Sequence, residues 1–148
     1  MIERLIIKDT TFADAEAVAA LVTQLGYPTS PLEMQVRLER ISEHADYKTI
    51  VAQIDGRVVG FAGLMKGWYF EHNESYARII AFVIGQDFRN QSIGKQLLNA
   101  CEEWAASKGA KSILLNSGNR EERLNAHAFY QKMGYSIKSL GFVKKLSM

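Results

Sequence analysis

Hydrophobic positions along this chain switch between a two-residue and a 3.6-residue period, and the switches mark its elements. Glu3–Lys8 reads as a short strand. Thr11-Phe12-Ala13-Asp14 then opens a helix; the threonine hydroxyl is expected to accept from a free backbone N–H, and Asp14 suits the positive end. Ala15, Val18, Leu21, Val22 and Leu25 keep helical spacing until Gly26 and Pro28 stop the run. Ser30-Pro31-Leu32-Glu33 is a capping box with proline at the first helical position, and its helix runs on through Met34, Leu38 and Ile41. Tyr47–Ile54 and Arg57–Leu64 are β-rich runs on either side of Asp55-Gly56, a strong hairpin signal.

Beyond them, Lys66–Asn73 is aromatic and irregular, and Ser75–Ile84 is the next strand. Ser92–Lys108 is a helix whose stripe Leu97, Leu98, Cys101, Trp104 and Ala105 faces a core, with Gly109 at its end. Ser112–Asn116 is a short strand, Glu121–Lys132 a helix stopped by Gly134, and Tyr135–Ser139 with Phe142–Leu146 a closing strand pair. The predicted order is β-α-α-β-β-β-α-β-α-β-β: one α/β domain over residues 1–148, with a mixed sheet covered by helices.

At 148 residues, 47% apolar and 23% charged, the chain fits one globular domain. The net charge of +2 comes without a dense basic block, so nucleic acid is not the expected partner, while an anionic cofactor is favoured. The single cysteine, Cys101, forms no disulfide within the chain and no cysteine-rich metal site; its place on the apolar stripe predicts a buried thiol. The longest apolar run, Ile79–Gly85, falls well short of the ~20 residues that span a bilayer. No signal-peptide pattern opens the sequence, and a cytoplasmic protein without a membrane partner is expected.

Candidate chemistry gathers between the strand ending at Ile84 and the helix after it. Arg89-Asn90-Gln91-Ser92-Ile93-Gly94-Lys95 brings a guanidinium, two amides, a hydroxyl and a glycine to the helix's first turn. Unpaired N–H groups and the positive dipole end there suit a phosphate. A P-loop is excluded because position 89 is Arg and Gln96 follows Lys95; no G-x-G-x-x-G follows a strand. Ala126, Phe129, Tyr130 and Met133 share one helical face, which carries the Tyr130 hydroxyl inward.

Two motifs in this order resemble the GNAT (GCN5-related N-acetyltransferase) superfamily. Arg89-x-x-Ser92-x-Gly94 is similar to its Arg/Gln-x-x-Gly-x-Gly/Ala fingerprint, and Ala126-His127-Ala128-Phe129-Tyr130-Gln131-Lys132-Met133-Gly134-Tyr135 to its second. The resemblance covers essentially the whole chain. In the second half it is nearest to small bacterial aminoalkylphosphonate-type enzymes, through Asp55-Gly56-x-Val58-Val59-Gly60 and Arg123-x-x-Ala126-His127-x-Phe129-Tyr130. It implies the GNAT fold, with a mostly antiparallel central sheet, and acetyl-CoA as cosubstrate.

The resemblance also implies roles. Pyrophosphate would meet the N–H groups of Gln91, Ser92, Ile93, Gly94 and Lys95, with Arg89 and Asn90 beside it. Pantetheine would lie along Phe82-Val83-Ile84 as an added strand does, an N–H near Phe82 or Val83 polarising the thioester, with Asn116 and Asn125 across the cleft. Ser92 stands where glycine is usual; it keeps the N–H, so binding is expected to be retained and weakened. Tyr130 would protonate the departing thiolate: a tyrosine of intrinsic pKa ~10 holds its proton at neutral pH.

An acceptor amine must be neutral to attack, and an alkyl ammonium of pKa ~10.4 opposes this by roughly 4–5 kcal/mol. Many similar enzymes place a glutamate on the strand before the turn. Tyr76–Phe82 has none, so Glu71 and His72 in the preceding connection are the candidate bases. Trp68, Tyr69 and Glu74 would form one wall of the acceptor site and Tyr27 the other. Arg78 and Arg123 could hold an anionic acceptor; Glu71 and Glu74 could attract a polycation. The expected activity is transfer of acetyl from acetyl-CoA to a small primary amine by direct attack in a ternary complex. Acetylation of a protein terminus or lysine, and a non-catalytic acyl-CoA-binding module, are the alternatives, and a homodimer is compatible with either.

Overall fold

The computed structural model describes residues 5–89, 92–116, 124–139 and 141–147. The chain divides into two compact units, Met1–Leu115 and Asn116–Met148. The first holds a five-stranded sheet in sequential order: β1 (Leu5–Asp9), β2 (Tyr47–Ile54), β3 (Arg57–Trp68), β4 (Ser75–Ile84) and β5 (Ala110–Leu115). The first three pairings are antiparallel and β4–β5 is parallel, reached through helix α3 (Ile93–Ser107). Helices α1 (Ala15–Gln24) and α2 (Pro31–Ser42) lie between β1 and β2 in sequence.

Alternation along the strands sorts two cores. Val51, Phe61 and Val83 pack with Val18 and Leu21 of α1 and Met34 and Leu38 of α2. Ala52 and Val59 face the other way, onto Ile93 of α3 and the side chains of Ile7, Ile84 and Phe88. Leu97, Leu98 and Cys101 are fully buried along the α3 stripe that the 3.6-residue period predicts. Among the described residues no helix is long and apolar enough to cross a membrane.

Local signals explain most boundaries. Ser30 Oγ accepts from the Glu33 N–H at 3.1 Å, and the Glu33 carboxylate accepts from the Ser30 N–H at 2.9 Å, closing the predicted capping box. These bonds hold the Glu33 carboxyl below its ordinary value. Asp55 (φ 50°) and Gly56 (φ 81°) both take the left-handed conformation that a two-residue hairpin turn needs. At the start of the turn that leads into α1, Thr11 and Asp14 form a second capping box, as expected. The carboxylate of Asp14 accepts from both the Thr11 N–H (2.9 Å) and Thr11 hydroxyl (3.3 Å), while Lys8 approaches it at 3.4 Å. Asp14 is buried, and these donors satisfy its carboxylate.

Two strand expectations need correction. β3 runs four residues past Leu64, to Trp68, because Gly67 and Trp68 still pair with Tyr76 and Ser75. A Cβ on Gly67 would lie 2.5 Å from the Tyr76 ring, which covers the bare backbone there. In the second unit, α4 (Leu124–Lys132) ends before Gly134 (φ 97°) as predicted, but residues 135–139 and 141–147 form no strand. Ile137, Phe142, Val143 and Leu146 remain exposed, and two short strands without a buried face are marginal in water.

Burial pushes the Cys101 thiol up to about 12, with the neighbouring Glu102 adding to the rise. Below the ordinary value of 9.0 the thiol is neutral folded or unfolded; between 9.0 and about 12 only the unfolded chain ionises. Stability is therefore expected to fall as pH rises through that window, and to fall less in Cys101→Ala relative to its own neutral-pH value. In the native protein at pH 8 the thiol should not react with a disulfide reagent, and should titrate fully in denaturant.

Candidate active site

The β4–α3 connection is fixed from several sides. The Gly85 N–H donates to Val59 O (2.8 Å), the Gln86 N–H to Gln24 Oε1 at the end of α1 (3.0 Å), and the Phe88 N–H to Gly85 O (2.9 Å). Phe88 packs into the α3-side core, and the Arg57 guanidinium sits 5.1 Å from its ring centroid. Arg89, exposed, turns back so that Nε donates to Ile84 O at 3.5 Å. Ile93 follows, wholly buried against Ala52 and Val59, so the first turn of α3 is anchored by its first side chain. Gly94 and Lys95 continue that turn; Asn90 and Gln91 lie outside the described residues.

Ser92 occupies the N-cap of α3 with φ 67° and ψ 3°. That is the left-handed region, where a side chain costs about 1–2 kcal/mol and glycine very little. The serine at this position is thus strained backbone at the mouth of the candidate phosphate site. Ser92→Gly is expected to raise the unfolding free energy by about 0.5–1 kcal/mol, since the relief exceeds the added entropy of the unfolded chain. A urea midpoint moves up if so; a lower midpoint would show that the hydroxyl contributes more than the strain costs.

On β4 the register holds the central feature. Gly63 pairs with Ala81 but Leu64 pairs with Ile79, so Ile80 is an extra residue, a β-bulge, and is half exposed. Among the described residues the parallel ladder to β5 has its last pair at the same point, Ile79 with Leu115. A bulge bends its strand and ends pairing. Phe82, Val83 and Ile84 therefore run on beyond the β5 ladder toward the anchored helix start. The side chain of Val83 is buried in the α1–α2 core, leaving backbone as what it can offer a ligand. A cavity of about 360 Å³ adjoins Gln86–Phe88, but it opens between α1 and the Gly56 hairpin, on the β3 side rather than beside β5.

The predicted acceptor residues do not assemble. Tyr27 follows α1, whose Gln24 is bonded to Gln86, at the end of the sheet where β4 finishes. Trp68, Tyr69, Glu71, His72 and Glu74 belong to the β3–β4 hairpin at its opposite end, roughly 30 Å away at ~3.3 Å per residue of β4. Tyr69 stacks at 4.9 Å on Tyr76 and holds His72 edge-on at 5.1 Å. Ser75 already lies about 16 Å along the strand from Ile80, and Glu71 and His72 come before it. Both therefore lie beyond the end of β4 opposite the turn to α3. Arg78, by contrast, is two residues from the bulge. The bulge itself was missed from sequence, where Ile79-Ile80-Ala81 reads as uninterrupted strand.

The second unit carries Tyr130 on α4. It is 8% exposed, its ring 5.3 Å from Phe129 and 6.0 Å from Tyr135, and its carbonyl accepts the N–H of Tyr135 at 3.0 Å. Asn116, exposed, opens this unit; the side chain of Asn125 lies outside the described residues.

Among the described residues, the bulged strand β4 thus leads past its last pair with β5 to the anchored start of α3. A model of the Acetyltransferase (GNAT) family matches residues 15–135, and the chain belongs to that family of N-acetyltransferases. It is 28% identical over 145 residues to the aminoalkylphosphonate N-acetyltransferase of Salmonella typhimurium (strain LT2), covering 95% of this chain and 90% of the relative. A GNAT family acetyltransferase of Staphylococcus aureus subsp. aureus USA300_TCH1516 superposes with a TM-score of 0.82 at 34% identity, over 96% of this chain and 98% of that one. The aminoglycoside N-acetyltransferase AAC(6')-Iy, solved in complex with CoA, shares the fold at a TM-score of 0.82 and 18% identity, over 98% and 99% of the chains. Acetyl transfer to amines is the family's general activity, and acetyl-CoA its general cosubstrate.

Proposed function

We propose that this protein transfers acetyl from acetyl-CoA to a primary amine of a small molecule. The family match over residues 15–135 supports the reading. The observation that carries the reading is the coincidence, among the described residues, of the Ile80 bulge with the last β4–β5 pair, ahead of the anchored α3 start. Acetyl-CoA supplies an activated acyl group on a thiol leaving group. Arg89 and the first-turn N–H groups of α3 meet its pyrophosphate. Backbone of the Phe82–Ile84 stretch receives the pantetheine arm, and a strand N–H polarises the carbonyl.

The acceptor nitrogen attacks the carbonyl carbon directly: the C–N bond forms, the C–S bond breaks, and the sulfur takes a proton. A carrier cysteine is disfavoured because Cys101 is buried and its thiol is pushed up to about 12. Tyr130 is assigned as proton donor to the departing sulfur on the strength of its motif. With Glu71 and His72 at the far hairpin, the amine reaches the site in its neutral form or loses its proton to water.

Arg89→Ala tests the cradle. Loss of one exposed charge-assisted contact is expected to weaken acetyl-CoA binding about tenfold by titration calorimetry. Unchanged affinity would remove Arg89 and the α3 start from the coenzyme site.

A further inference from the structure

Ser75–Ile84 carries one charged side chain, Arg78. It stands opposite Met65, which lies on the same side of β3 as Phe61, and Phe61 belongs to the α1–α2 core. Arg78 therefore leaves the sheet on that face, about 7 Å of strand from the bulge. Its flanking residues Ala77 and Ile79 are buried and its lateral partners are Met65 and Leu114, so the guanidinium is rooted in apolar sheet. It already has a partner within the chain, and five N–H donors let a guanidinium serve a second. The acidic side chains that would attract a polycation, Glu71 and Glu74, sit beyond the other end of the strand. Arg78 is the charged side chain that β4 itself brings near the bulge.

We infer that Arg78 selects the acceptor, and that the preferred acceptor is a primary amine carrying a phosphonate, phosphate or carboxylate a few bonds from its nitrogen. This inference rests on the acetyl-transfer reading above. A planar guanidinium pairs bidentately with such an anion, and the grip orients the nitrogen toward the thioester carbonyl. The same cation repels a bare ammonium or a polyamine. Arg78 thus occupies the strand on which many similar enzymes place a carboxylate, and replaces proton abstraction with positioning.

The test is thiol release from acetyl-CoA with an aminopropylphosphonate, an aminobutyrate, butylamine and spermidine, for the native protein, Arg78→Gln and Arg78→Lys. The native protein should favour the two anionic acceptors by roughly 10–100-fold in kcat/KM. Arg78→Gln should erase most of that ratio through KM, and Arg78→Lys should keep part of it. Butylamine or spermidine turned over as well as the phosphonate would overturn the inference and leave acetyl transfer standing. An equal fall in kcat for all acceptors in Arg78→Gln would overturn it as a selectivity role. Absence of thiol release with every acceptor would overturn both readings together.

Discussion

Replacing Tyr130 by phenylalanine is expected to lower kcat by about one to two orders of magnitude while leaving acetyl-CoA affinity within about twofold. The substitution is suited to isolating the hydroxyl. Tyr130 is buried with its ring against Phe129 and Tyr135, and phenylalanine retains both ring contacts. General acids typically contribute ~10²–10⁴-fold; the lower end applies because a thiolate of pKa ~8.5 leaves with only partial help. Single-turnover acetylation measures the effect, and equal rates for both proteins would remove Tyr130 from the chemistry.

The second large effect concerns packing rather than chemistry. Ile93→Ala is expected to destabilise the protein by about 2–4 kcal/mol, whereas Ile93→Val should cost about 0.5–1.5 kcal/mol. Ile93 is fully buried between Ala52 and Val59, so truncation opens a cavity under the first turn of α3. That turn is also the proposed pyrophosphate cradle. Acetyl-CoA affinity should therefore fall with stability in the alanine variant, and only slightly in the valine one. Denaturant midpoints with calorimetric titration measure both. Lost stability with unchanged affinity would separate the cradle from the core.

Much of this fold was legible because its signals are local. The Ser30–Glu33 box, the Asp55-Gly56 turn and the α3 stripe each need only a few residues of context. The β4 bulge was not, because it belongs to a pairing: Ile80 is extra only relative to Gly63 and Leu64 on the neighbouring strand. The β3 extension hid in the same way, since Gly67 is stabilised by a ring nine positions later in sequence. Sites suffered from a different error. Glu71 and His72 precede β4 closely in sequence, yet an extended strand carries its two ends far apart, so sequence proximity hid their place beyond the end of β4 opposite the turn. Arg78 was visible throughout as a guanidinium where carboxylates are usual. Only the register gave it a position, two residues from the point where β4 and β5 part.

The measurement that bears most directly on the central claim is thiol release from acetyl-CoA in the presence of small primary amines, with the acetylated product identified by mass. The account predicts stoichiometric thiol and N-acetyl product, lost in parallel when the amine or the protein is left out. Tight acetyl-CoA binding with no product from any amine or peptide would contradict it and point to a protein that senses the coenzyme instead of using it.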